Sequence, residues 1–169
     1  MSNRLSIPIY TPEVIENMAE RLLNTLNANE STETEIIRVA RALGLTVIKA
    51  SFEDEHCDGM LQFETDDKVA IYVNIDSPFT RQRFTIAHEI GHYILHRNLL
   101  RAQGCSVAYR KQENNTIEQQ ANRFAAALLM PRNLVINEYR KTSNIKNIAK
   151  SFGVSTHAIC VRLMQLGVA

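Results

Sequence analysis

Three histidines fall within nine residues of the stretch RFTIAHEIGHYILHR: His88, His92 and His96, with Glu89 directly after the first. On an α-helix, residues four apart project from the same face about 6 Å from each other, so His88 and His92 can aim imidazole nitrogens at one point. Zinc takes such nitrogens at about 2.0–2.1 Å, and two of them leave room for a third protein ligand and a water. Glu89 lies about 100° further round the helix, away from the ion but within reach of that water. The chemistry served by this H-E-x-x-H spacing is hydrolysis. The metal polarises a carbonyl and lowers the pKa of water toward about 7, while the glutamate takes the water's proton and passes it to the leaving amine. The competing reading is an amphipathic helix whose Ile86, Ile90, Tyr93 and Leu95 pack a core. His96 is eight residues from His88, about 12 Å along the axis, too far to share an ion. It reads as a surface or supporting histidine.

The third ligand decides the subclass. A metzincin needs Gly three and His six residues after the second motif histidine, where this chain has Leu95 and Asn98. That class is excluded, and a glutamate on a following helix remains. Glu113 lies in a polar connection, whereas Glu118 lies in the first turn of a helix. Asn122 is one turn further along the same face, placed to hydrogen-bond a ligand histidine. Glu118 has a competing role as the capping-box partner of Asn115.

The elements that must position these groups follow from period and punctuation. Thr11 and Pro12 open a helix with Val14, Met18, Leu22 and Leu26 along one face. A capping box from Thr32 to Glu35 opens a second helix that closes at Gly44. The runs LTVIKASF, GMLQFET and KVAIYVN then predict a small three-stranded sheet, mixed or antiparallel, with a hairpin over residues 59–74. The histidine helix is expected from Thr80 to His96, followed by a polar connection through residues 97–114. A helix capped at Asn115 or Thr116 runs to Pro131 and buries Ile117, Ala121, Phe124, Ala125 and Leu128. Three short helices are expected near 132–141, 145–152 and 156–166. The class is α+β: a small sheet packed on a helical bundle that carries the histidine helix. Residues 1–131 are expected to form a zincin-like metallopeptidase domain, with residues 132–169 as a helical extension packed on it.

The paired blocks RFTIAHEIGHYILH and EQQANRFAAALLMP resemble the ImmA/IrrE family of small zinc metallopeptidases, from about Asp58 to the C-terminus. That resemblance implies zinc on His88, His92 and Glu118, with Glu89 as general base. It also implies a gluzincin-like endopeptidase whose usual target is a helix-turn-helix repressor, cleaved to release stress or mobile-element genes. IYVN, ending in Asn74, matches the family's strand before the helix. Gln120 departs from it, since many members carry an acidic residue there. In similar peptidases an exposed sheet edge receives the substrate as an added strand, and GMLQFET is the candidate; a core strand is the alternative. Cys57 reads as a loop cysteine, with inhibitory capping of the metal as the alternative. Tyr93, Tyr109 and Arg110 are candidates for stabilising the oxyanion.

Of the 169 residues 45% are hydrophobic, enough for a core without disulfides. Cys57, Cys105 and Cys160 are too scattered for a disulfide framework or a structural zinc cluster, and a cytoplasmic setting is expected. With a formal charge of +1 the chain as a whole makes no demand for nucleic acid or membrane. The charge is nevertheless uneven: residues 1–130 hold 13 Lys/Arg against 17 Asp/Glu, and residues 131–169 hold 6 against Glu138 alone. In this basic tail Ala149, Gly153 and Ile159 have helix-turn-helix spacing. Thr156, His157 and Arg162 would then face DNA, which is few for base reading and phosphate contact. The alternative function is therefore a DNA-binding or repressor-binding regulator with a structural or inactive metal site. An intact Glu89 favours the enzyme.

Overall fold

The computed structural model describes residues 9–54, 56–65, 68–102 and 115–168. Glu113, Tyr109, Arg110 and Cys105 lie outside them. Helix α1, Pro12–Thr25, starts as its residues dictate: the Thr11 hydroxyl accepts from the Val14 N–H at 3.3 Å, and Pro12 sits in the first turn. Its buried stripe is Ile15, Ala19 and Leu23, whereas Val14 is exposed. The two apolar rows are neighbours on the helix, and the row containing the small Ala19 is the one turned inward.

Helix α2 spans Ile36–Ala42 and ends before Gly44, whose φ of 76° suits glycine. The expected capping box does not form, because Glu35 is the N-cap and its side chain makes no capping bond. The preceding residue is spent elsewhere: the Thr34 hydroxyl donates to the Leu128 carbonyl at 3.1 Å, far along the chain.

Strands β1 (Leu45–Ala50), β2 (Gly59–Phe63) and β3 (Val69–Asn74) form a mixed sheet in the order β1-β3-β2. β1 runs parallel to β3 from Leu45↔Val69 to Ala50↔Asn74. β2 forms the expected hairpin, antiparallel, from Gly59↔Val73 to Phe63↔Val69. The near-continuous apolar run of β3 marks the central strand, buried at every position but Tyr72. GMLQF is therefore an edge.

Helix α3, Phe79–Ala102, carries the histidines and is about 36 Å long at 1.5 Å per residue. It runs past the expected end at His96 because Leu99 and Leu100 keep an apolar face buried. Helix α4, Asn115–Leu129, buries all five expected residues. Ala126, Ala127 and Leu129 are buried too, as is Met130 just past its end, so the C-terminal half of α4 is buried on more than one face. It packs between α1 and α3.

Helices α5 (Arg132–Lys141), α6 (Ile145–Phe152) and α7 (Thr156–Gln165) follow the sequence expectation closely. Asn144 caps α6 through the Asn147 N–H, Gly153 ends it in the left-handed region, and Ser155 caps α7 through the Ala158 N–H. Ala149 and Ile159 are buried where the pair meets.

Two buried arginines tie these helices to the rest. Arg83 of α3 donates to the carbonyls of Thr34 at 2.9 Å and Gly153 at 3.1 Å. Arg162 of α7 is fully buried; it donates to the Met130 carbonyl at 3.0 Å and grips both carboxylate oxygens of Glu16 in α1. The reading of Arg162 as a DNA-facing side chain is thereby corrected, since its charge is consumed inside the protein. Thr156 and His157 are exposed. One apolar core runs through Ile15, Ile71, Ile90, Phe124, Ile148 and Ile159.

Removing one member of a buried ion pair strands the other. Arg162→Ala is expected to lose about 3–5 kcal/mol of stability, read as a lower denaturant midpoint. Arg162→Met, which keeps volume but leaves only Glu16 to rehydrate at its partly open edge, is expected to lose less.

Candidate metal centre

The site forms where α3 crosses α4. The crossing is close because Gly91 has no side chain: a Cβ there would lie 3.1 Å from the Ala121 carbonyl oxygen and 3.2 Å from its Cα. Both are backbone atoms with little freedom to yield. The crossing sets Glu118 and Asn122 of α4 opposite His88 and His92 of α3.

His88 Nε2 is 2.9 Å from His92 Nε2 and 3.2 Å from Glu118 Oε2; His92 Nε2 is 3.2 Å from Glu118 Oε1. Among the described residues these three form a group whose ligand atoms all lie within 4.8 Å of one another. A tetrahedral ion with bonds of about 2.0–2.1 Å separates its donors by about 3.3 Å, so the spacing fits zinc to within a few tenths of an ångström. Burial raises the pKa of the Glu118 carboxyl, but the adjacent His88 and His92 imidazoles outweigh it and hold the group below the usual carboxylate range. Glu118 is thus an anion between two imidazoles.

The hydrogen bonds behind the histidines define which nitrogens are free. Asn122 Oδ1 lies 2.8 Å from His88 Nδ1. An amide oxygen only accepts, so His88 carries its proton on Nδ1 and turns a lone pair on Nε2 toward Glu118. For His92 the chain is longer. Gln120 Oε1 accepts from His96 Nε2 at 3.0 Å, and His96 Nδ1 is 3.1 Å from His92 Nδ1. Burial lowers the His96 pKa to about 4, so the ring is neutral and its Nδ1 is an acceptor. His92 therefore donates from Nδ1 and keeps a lone pair on Nε2.

His96 is thus outside the donor group, as its distance required, but it is buried behind His92 rather than on the surface. Of the two readings of His96 the supporting one holds, while its partners His92 and Gln120 were not read from the sequence. The signal was present as a third histidine at the same four-residue interval, together with Gln120 two residues after Glu118.

Glu89 is 1% exposed and lines a cavity of about 380 Å³ with His88, Glu118 and Asn122. The opposite wall is the 56–59 loop, held by Asn74. Its Nδ2 donates to the Cys57 carbonyl at 3.1 Å, and its backbone N–H donates to the Asp58 carbonyl at 2.8 Å. Asp58 in turn accepts from Ser77 and Arg81 on the approach to α3, at 3.0 Å each. Cys57 lines the cavity and is buried, its thiol donating to the Gly59 carbonyl at 3.7 Å. Tyr93 is half-buried under the Arg97 guanidinium and is not among the residues lining the cavity.

The model of the IrrE N-terminal-like domain, a peptidase family, matches residues 40–164. The chain belongs to this family. The match takes in the sheet, both site helices and nearly all of α7, more than the span from Asp58 suggested by the motifs. Within the family, the Metallopeptidase ImmA of Bacillus subtilis (strain 168) is 27% identical over 167 residues, covering 95% of this chain and 90% of that one. A Mycobacterium tuberculosis transcriptional regulator shares the fold with a TM-score of 0.66 at 19% identity. That match covers 91% of this chain and 47% of the regulator, so the family fold here spans about half of it. No helix among the described residues is long and apolar enough to cross a membrane.

Gly91→Ala tests the crossing. In an isolated helix the change is favourable by about 1 kcal/mol, yet here the new methyl meets backbone. The expected result is an affinity for divalent metal, titrated with zinc, reduced by about tenfold with unchanged helical circular dichroism, because candidate ligands on two helices are moved apart.

Proposed function

We propose that the protein is a zinc-dependent endopeptidase that hydrolyses a peptide bond in a specific protein substrate, with His88, His92 and Glu118 as metal ligands and Glu89 as general base. The observation carrying this reading is the convergence of three donor atoms, with lone pairs turned inward, beside a buried carboxylate at the wall of one cavity. Membership of a peptidase family and the similarity to a named metallopeptidase support it.

Zinc bound there would supply a Lewis acid for the scissile carbonyl and would acidify water. The protein's own groups do the rest. Glu89 takes a proton from the water as its oxygen attacks the carbonyl carbon, then delivers that proton to the nitrogen as the C–N bond breaks. Asn122 and the His96–Gln120 pair hold the two imidazoles in the tautomers that present Nε2. β2, beside α3, is an edge of the sheet among the described residues, along which an extended substrate can lie. The substrate we infer is a helix-turn-helix repressor, cleaved in the cytoplasm. Residues 132–169 act as a helical extension of the peptidase unit at 1–131, an organisation supported by the buried bonds of Arg83 and Arg162.

Glu89→Gln is expected to keep zinc binding while cleavage of a co-expressed repressor encoded in the adjacent gene falls by at least about a hundredfold. Undiminished cleavage would remove Glu89 from the mechanism. Stripping the metal with a chelator is expected to abolish cleavage, and zinc to restore it. His96→Phe keeps the ring volume but removes the acceptor behind His92, and zinc affinity is expected to drop by about 10–100-fold, with His96→Gln recovering part of the loss.

A further inference from the structure

A second concavity, larger than the metal cavity at about 740 Å³, lies between the first turns of α3, the outer face of α4 and α7. It adjoins the metal cavity, for Arg81, Phe84 and Asn122 line both. Its floor is apolar: Ala126 and Val154 are buried, and Ala158 and Val161 of α7 form the far wall. Arg81, Arg123 and His157 border it, while no Asp or Glu is among the described residues that line it. Nor is the positive charge fully met from within. Arg123 Nη1 is 4.0 Å from Glu16, whose two oxygens are already engaged by the buried Arg162. Arg81 is paired with Asp58 on the surface, an arrangement that a competing carboxylate can displace.

We propose that this groove docks a helical segment of the protein substrate, presenting an apolar face to α7 and α4 and carboxylates to Arg123 and Arg81. The inference rests on the endopeptidase reading for the identity of its occupant. Because it adjoins the metal cavity along Arg81, Phe84 and Asn122, a helix seated here directs the chain beyond its end toward Glu89. A groove walled by two helices and floored by small apolar side chains suits a helix laid into it, and its size is that of an ordinary binding cleft. The helix-turn-helix pair thus serves recognition of protein. Arg81 of α3 and Arg123 of α4 select acidic flanks, and the fully buried Arg162 holds the α7 wall in place.

The test measures binding, so that it does not depend on hydrolysis. The full zinc-loaded chain is titrated against a labelled, stapled helical peptide of about four turns, with leucines along one face and glutamates on its flank. A twin with lysines for the glutamates and a random-sequence DNA duplex are the comparisons. The acidic peptide is expected to bind saturably and at least about tenfold more tightly than its twin. Val161→Arg, which fills the groove, and Arg123→Gln, which removes the cation, are each expected to weaken it by about fivefold or more. Ala158→Met serves as a second, uncharged block should Val161→Arg fail to fold. Equal binding of the two peptides, or acidic-peptide binding indifferent to all three variants, would overturn the proposal. So would tighter binding of the duplex than of either peptide, which would assign the surface to DNA. A wild type that binds the peptide but cleaves no repressor would count against the endopeptidase reading and leave the groove standing.

Discussion

The site depends on how closely two helices can approach. His88 and His92 are held to one face of α3 by the helical repeat, but their partner carboxylate arrives on α4, and its distance is set where Gly91 meets the backbone of Ala121. A side chain at that contact acts on the far end of a lever. Small residues recur on the other side of α4 as well, where Ala19 of α1 is completely buried. Helix α4 is accordingly wedged between neighbours on two sides and has little freedom to drift. This rigidity is what allows a site to be built from two helices without a loop to adjust it.

The buried arginines and the buried histidine behind the site each have named partners. Arg83 and Arg162 spend their donors on carbonyls at helix ends and on Glu16, and so convert the three C-terminal helices from an appendage into part of the core. His96 and Gln120 do the equivalent behind the candidate metal centre. Each link in that chain has one donor and one acceptor, so the arrangement has a single consistent proton assignment. An acidic side chain in place of Gln120 would favour protonation of His96 and remove its acceptor, so the amide suits a neutral His96.

Much of this was legible in the residues. Four-residue spacing alone brought His88 and His92 together, and the turn position of Glu118 with Asn122 one turn later brought α4 to them. Turn residues and caps located the hairpin and the three last helices to within a residue. What escaped were properties that belong to tertiary contact. Val14 and Ile15 begin equally apolar rows, and only the proximity of α4 selects the row with Ala19. Thr32 and Glu35 have the letters of a capping box, but Thr34 between them is claimed by Leu128 across the fold. Polar Arg97 and Asn98 suggested an end to α3, although burial of Leu99 and Leu100 carries it on. An arginine on a basic helix resembles a surface cation until its carboxylate is found 146 residues away.

That last pairing has a consequence for where the unit begins. The family match starts at residue 40, yet Arg162 inside it is neutralised by Glu16 outside it. A chain trimmed to the shared region would retain every candidate ligand and lose the counter-ion of a fully buried charge. The first helix is therefore joined by charge to the region that matches the family. It is the anion on which the last helix closes, and the smallest autonomous form of the protein must include it.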